Sequence, residues 1–132
     1  MPDFFSNASS DNFRLLKSKP LSGAVTAGTY GLLRVPKWAF VSGVWVWVES
    51  VCSATDVTVG WKGNTETAVT AGFLSSDIVD AGVTGIKAAA RDTLISAVGK
   101  YFDKGTGEIT VTLGTTWTTG KLYVFCQYSV IR

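Results

Sequence analysis

The run Val44, Trp45, Val46, Trp47, Val48 constrains this chain more than any other feature. Side chains of a β-strand point alternately to opposite sides, so the valines line one face and the tryptophans the other, and both faces are apolar. The same holds near the end of the chain, where Leu122, Val124, Cys126 and Tyr128 alternate with Tyr123, Phe125 and Gln127. A sheet in a lone sandwich ordinarily turns one face to water. These two strands therefore need a covering layer, supplied by the N-terminal stretch, by a loop or by another subunit. Trp45, Trp47, Tyr123 and Phe125 become the candidate oligomer interface.

Other segments show the ordinary pattern. Val57, Val59 and Trp61 alternate with Asp56, Thr58 and Gly60, and Ile109, Val111 and Leu113 alternate with Thr110 and Thr112, as in strands with one wetted face. From Gly23 onward, glycine, threonine and valine dominate and short β-rich runs are separated by turn residues, which predicts an all-β domain, a single antiparallel β-sandwich or jelly roll. Candidate strands are 24–35, 38–51, 55–62, 107–114 and 121–131, with Pro36 marking a turn or sheet edge. Residues 63–99 read as a long loop or a short helix, since Ile86, Ala89, Ala90, Thr93, Leu94, Ala97 and Val98 fall at helical spacing. Thr115 to Gly120 reads as a hairpin turn.

Residues 1–22 differ in composition and read as an N-terminal arm, with one short helical turn near Asp11 to Lys17 and the sandwich domain following at 23–132. Phe4, Phe5, Phe13, Leu15 and Leu16 make this arm a candidate anchor, because a polar stretch with five large apolar residues either binds a partner or folds back on its own domain.

The chain has 132 residues, enough for one domain with a real core, and 46% of them are hydrophobic against 17% charged, more apolar surface than a small monomer needs to bury. Oligomerisation would use the excess. Twelve basic and ten acidic residues are spread without a cationic run, which points away from nucleic acid. No stretch approaches the ~18 to 20 uninterrupted apolar residues of a membrane-spanning helix, so no membrane partner is expected. Met1 to Ser10 carries Asp3 and lacks a basic start and an apolar core, unlike a secretory signal.

Catalytic equipment is sparse. There is no histidine, which removes serine–histidine and cysteine–histidine chemistry and the commonest metal ligand. Cys52 and Cys126 lie far apart in apolar runs and read as buried thiols, so no zinc site and no cofactor is expected. Asp77 with Asp80, and Glu49 with Asp56, are the nearest carboxylate pairs, at spacings that ten acids produce by chance. The segment from Gly114 to Lys121 has five residues between its glycines and Leu122 after the lysine, which departs from a phosphate loop. Trp61 and Trp117, both near turns, are candidates for stacking on a sugar, which makes a carbohydrate-binding host-attachment module the alternative function, with a host-surface glycan as its ligand.

The order of elements in the second half carries a resemblance: Val57, Thr58, Val59, Gly60; then Phe73, Leu74 and an acidic loop with Asp77; then Gly99, Lys100, Tyr101, Phe102; then Gly107 to Leu113; and Thr119 to Phe125. This order, over residues 44–131, resembles small virion proteins of tailed bacteriophages, of the head-decoration or head and tail-fibre type. The family often has an acid after its Thr-Val-Gly, whereas Trp61 stands here. The resemblance implies a jelly-roll-like sandwich, a homotrimer, docking on phage capsid or fibre proteins through the N-terminal arm, and a virion location after assembly in the host cytoplasm. Function would then be structural rather than enzymatic.

Overall fold

Alternating runs become strands throughout the computed structural model, which describes residues 13–88 and 99–131. The elements are β1 (Phe13–Lys17), β2 (Leu21–Ser22), β3 (Gly28–Val35), β4 (Ala39–Ser50), β5 (Val57–Gly63), β6 (Val69–Leu74), a single-turn helix α1 (Ser76–Val79), β7 (Gly85–Ala88), β8 (Lys100–Tyr101), β9 (Gly107–Leu113) and β10 (Lys121–Val130). They form two antiparallel sheets, as the alternation predicts. One has the order β1-β10-β4-β7, with β2 on β10 and β8 on β4; the other has the order β3-β9-β5-β6.

The ladders β1–β10, β3–β9, β4–β7 and β5–β6 are nested one inside the next along the chain. Such nesting is what a long antiparallel ribbon produces when rolled up, and β10–β4 and β9–β5 are the contacts the rolling creates. This is the eight-strand jelly roll, with two short strands added at its margins.

Val44, Val46, Val48, Leu122, Val124 and Cys126 turn inward from the first sheet, and Val57, Val59, Ile109, Val111 and Leu113 meet them from the second; all are buried. The outer side of the second sheet carries Thr29, Thr58 and Thr112 with Arg34, Lys62 and Glu108 in register across three strands, so that face is wetted. Pro36 begins the expected turn: Ala39 donates its N–H to the Pro36 carbonyl at 3.2 Å, and Trp38 sits at φ 74°. That left-handed conformation costs a non-glycine residue energy. Here it is held by the Trp38 N–H bond to Phe102 O (2.7 Å) and the Ile131 N–H bond to Trp38 O (2.8 Å).

Three expectations need correction. Asp11 to Lys17 is not a helical turn over its described part: Phe13–Lys17 is β1, hydrogen bonded along β10, and Leu21–Ser22 pairs with β10 as well. The open edge of β10 satisfies the backbone of this stretch, and Leu16 reaches the core from it. The short helix expected as one reading of residues 63–99 is present as α1, with β6 before it and β7 after it. Ile86 belongs to β7 rather than to a helix; the remaining residues of that helical pattern, 89–98, lie outside the described residues. The segment from Thr115 to Gly120 is no hairpin turn either, since β9 and β10 lie in different sheets and this segment carries the chain between them. Trp117 is its fixed point, 0% exposed and bridged to Val25.

Candidate functional site

The outer side of the first sheet is where the geometry departs from an ordinary soluble sandwich. Register sets Trp47 beside Tyr123 and Trp45 beside Phe125 on the two central strands. On the flanks, Lys17 lies beside Phe125, Leu15 beside Gln127, and Ile86 beside Trp47. Alternation therefore brings the four interface candidates together on one face, half-buried only by one another and their neighbours. Leu15 and Ile86 stand at its two margins, 68% and 72% exposed.

The aromatic rings are ordered among themselves. Trp47 and Tyr123 stack with centroids 5.0 Å apart at 16°. The Lys17 ammonium lies over them, 4.5 Å from the Tyr123 centroid, 5.7 Å from Trp47 and 5.8 Å from Phe125, a position in which ring quadrupoles attract a cation. Lys121 closes the other end through a 3.1 Å ion pair with Glu49. Its hydrogen bond to Glu49, reinforced by Tyr123, holds the Lys121 ammonium above its usual pKa. The Trp45 ring lies over Gly43, where any Cβ would meet it at 2.7 Å, so the small residue allows the indole to lie flat on the sheet. Between Leu15, Trp45, Ile86, Phe125 and Gln127 is an open apolar depression of about 470 Å³.

This surface can exclude water against a matching apolar surface. Contiguous apolar area of this kind on a small protein marks an interaction site. Sequence reasoning found the four central aromatics but placed Leu15 on an arm and Ile86 on a helix, and it gave Lys17 no role. The alternation of Phe13, Leu15 and Lys17 against Leu16 was the available signal for β1; β7, with four residues, is too short to show one.

Of the remaining candidates, Leu15 borders this face. Phe13, Leu15 and Leu16 of the expected anchor are part of the sheet, while Phe4 and Phe5 lie outside the described residues. Trp117 is buried to 0% in the core and has no face to offer a sugar, which corrects its assignment. Trp61 packs edge-on against Phe73 at 5.1 Å and covers Gly72 so closely that a Cβ there would overlap the indole. Above the ring, at 5.4 Å, sits the Lys100 ammonium, which is itself paired with Glu66 at 2.6 Å.

Both cysteines are buried and unbonded. Burial pushes the Cys126 thiol up to about 11 and raises Cys52 as well, against a backbone hydrogen bond from Lys121. Of the carboxylates, Glu49 is held by Lys121 and Asp56 accepts a 2.8 Å hydrogen bond from Thr115. Among the described residues no group of three or more His, Cys, Asp or Glu side chains could hold a metal ion. No helix among them is long and apolar enough to cross a membrane.

No protein-family model matches the chain. No curated protein matches it. Solved structures do: a chain of the cyanophage Pam1 capsid asymmetric unit aligns at TM-score 0.57 and 15% identity, covering 91% of this chain and 86% of that one. A chain of the acidic-stable capsid of Helicobacter pylori bacteriophage KHP30 aligns at TM-score 0.55 and 18% identity, covering 89% of this chain and 93% of that one. At these identities the likeness is one of fold, and it spans almost the whole of each chain.

Proposed function

We propose that the protein is a non-enzymatic structural component of a bacteriophage virion, a capsid-decorating or fibre-associated subunit that self-assembles through the outer face of its β1-β10-β4-β7 sheet. The observation that carries this reading is that face: Trp45, Trp47, Tyr123 and Phe125 lie together on it, flanked by Leu15 and Ile86, each more than two-thirds exposed. The jelly-roll strand order and the similar chains of two phage capsid structures support the setting. Its partners are then copies of itself and capsid or fibre proteins, and its mechanism is removal of apolar surface from water. Anchoring on the particle is assigned to the N-terminal residues that precede β1, which include Phe4 and Phe5.

The test is solution mass by light scattering for the natural protein and for Trp45→Ser with Phe125→Ser. A homo-oligomer whose mass falls in the double variant, with an unchanged circular dichroism spectrum, is expected. A natural protein that stays monomeric at every concentration overturns the self-assembly reading.

A further inference from the structure

Strand β1 ends the six-stranded sheet, and among the described residues its only ladder is with β10. Ser18 donates its backbone N–H to Val124 O at 2.8 Å, and Val124 returns its N–H to Ser18 Oγ at 2.9 Å. Backbone groups of successive strand residues point alternately to the two sides, so Arg14 and Leu16, like Ser18, address β10. Phe13, Leu15 and Lys17 therefore direct their N–H and C=O groups away from the sheet. An edge strand that is exposed and free of proline is a template for another strand.

The pattern of β1 is complementary to itself. If a second copy runs antiparallel with Leu15 opposite its own counterpart, Phe13 falls opposite the second copy's Lys17 and Lys17 opposite its Phe13. All three are then hydrogen-bonded pairs made from the groups that point outward. No like charges stand directly opposite, which would destabilise the pairing. Arg14 faces Leu16, and each Lys17, already lying over aromatic rings, gains a phenylalanine across the new seam. Leu15 and Phe13, 68% and 44% exposed in the single chain, meet along it.

We infer that two copies of this chain join edge to edge through β1, centred on Leu15, fusing their sheets into one continuous sheet whose outer side carries both aromatic clusters. Such a contact is isologous and closes on itself. The inference goes beyond the apolar-face reading, because it concerns the sheet's edge and stands whatever covers the face.

The test is disulfide trapping. In an antiparallel hydrogen-bonded pair the Cα atoms lie about 5.5 Å apart, inside the span a disulfide bridges. Leu15→Cys should cross-link under mild oxidation into a species of twice 14.1 kDa. Phe13→Cys alone should not, because the two copies of residue 13 would be displaced by four residues, roughly 14 Å. Cys52 and Cys126 are buried and do not compete. Leu15→Lys places two ammonium groups face to face and should abolish the edge dimer while leaving the fold intact.

Absence of the Leu15→Cys cross-link overturns the inference, as does equal cross-linking of Phe13→Cys. So does a Leu15→Cys cross-link that forms only after residues 2–12 are removed, since those residues would then occupy the edge. A Leu15→Cys cross-link that survives Trp45→Ser with Phe125→Ser separates the two readings: the edge contact holds even where the face contact fails. Loss of the cross-link with association intact separates them in the other direction.

Discussion

Val46 and Ile86 are both aliphatic and β-branched, lie on neighbouring strands of one sheet, and differ in the side they face: Val46 is 0% exposed and Ile86 is 72% exposed. Threonine at either position keeps the β-branched shape, so strand propensity is held nearly constant and only burial changes. In Val46→Thr a hydroxyl replaces a methyl opposite Val124, inside a core of valines and leucines with no partner for it. Burying an unpaired hydroxyl costs about 1–3 kcal/mol in protein cores. With a urea dependence of about 2 kcal/mol per molar for a domain of this size, a loss of about 2 kcal/mol lowers the unfolding midpoint by about 1 M. Ile86→Thr, at a surface position, should move the midpoint by less than about 0.5 kcal/mol of stability. It should instead weaken self-association, by roughly tenfold if the isoleucine becomes buried between copies. The assay is urea unfolding by tryptophan fluorescence at concentrations where the protein is monomeric, paired with sedimentation at higher concentration. Equal losses of monomer stability in the two variants would refute the reasoning, because the outer face would then be covered by the chain's own residues.

Two further outcomes follow from single positions. Gly60 lies where a Cβ would overlap the carbonyl oxygen of Val69, a backbone atom that cannot swing aside, so Gly60→Ala should detach β6 from β5 and cost about 1–3 kcal/mol, read as a lower melting temperature with early hydrogen exchange in β6. Cys126 has a folded-state pKa of about 11 against an ordinary value of 9.0, because burial disfavours its thiolate. The unfolded chain therefore releases this proton first. The thiol's contribution to stability is full below about pH 9 and is lost as pH rises through about 11. The difference in urea midpoint between the natural protein and Cys126→Val, followed from pH 8 to 11, should shift in the variant's favour across that window; a constant difference would count against it.

Much of the sandwich was legible because long strands advertise themselves. The runs expected at 38–51, 107–114 and 121–131 appear as β4, β9 and β10 with ends within a residue or so, and Pro36 does begin a turn. Short edge elements were not legible. β1 and β7 have five and four residues, too few for alternation to outweigh the polar arm-like composition around Phe13 or the helical spacing that begins at Ile86. Their strand geometry comes from the backbone groups that β10 and β4 leave open at either side. The role of Trp117 was hidden for a related reason: it follows two threonines in a turn-like segment, and only the crossing between sheets shows that the indole fills the core.

Sequence alone determined that Val44–Val48 and Leu122–Tyr128 form strands apolar on both sides, since alternation is a property of the extended backbone and needs no partner. It could not say which side would be the core. That was decided by tertiary structure: rolling the nested ribbons sets the second sheet against the valines, whose compact branched side chains pack between two sheets. The larger rings of Trp45, Trp47, Tyr123 and Phe125 are left outside. Only the folded arrangement also places Leu15, Lys17 and Ile86 beside those rings, because pairing across strands joins residues that lie far apart in the chain.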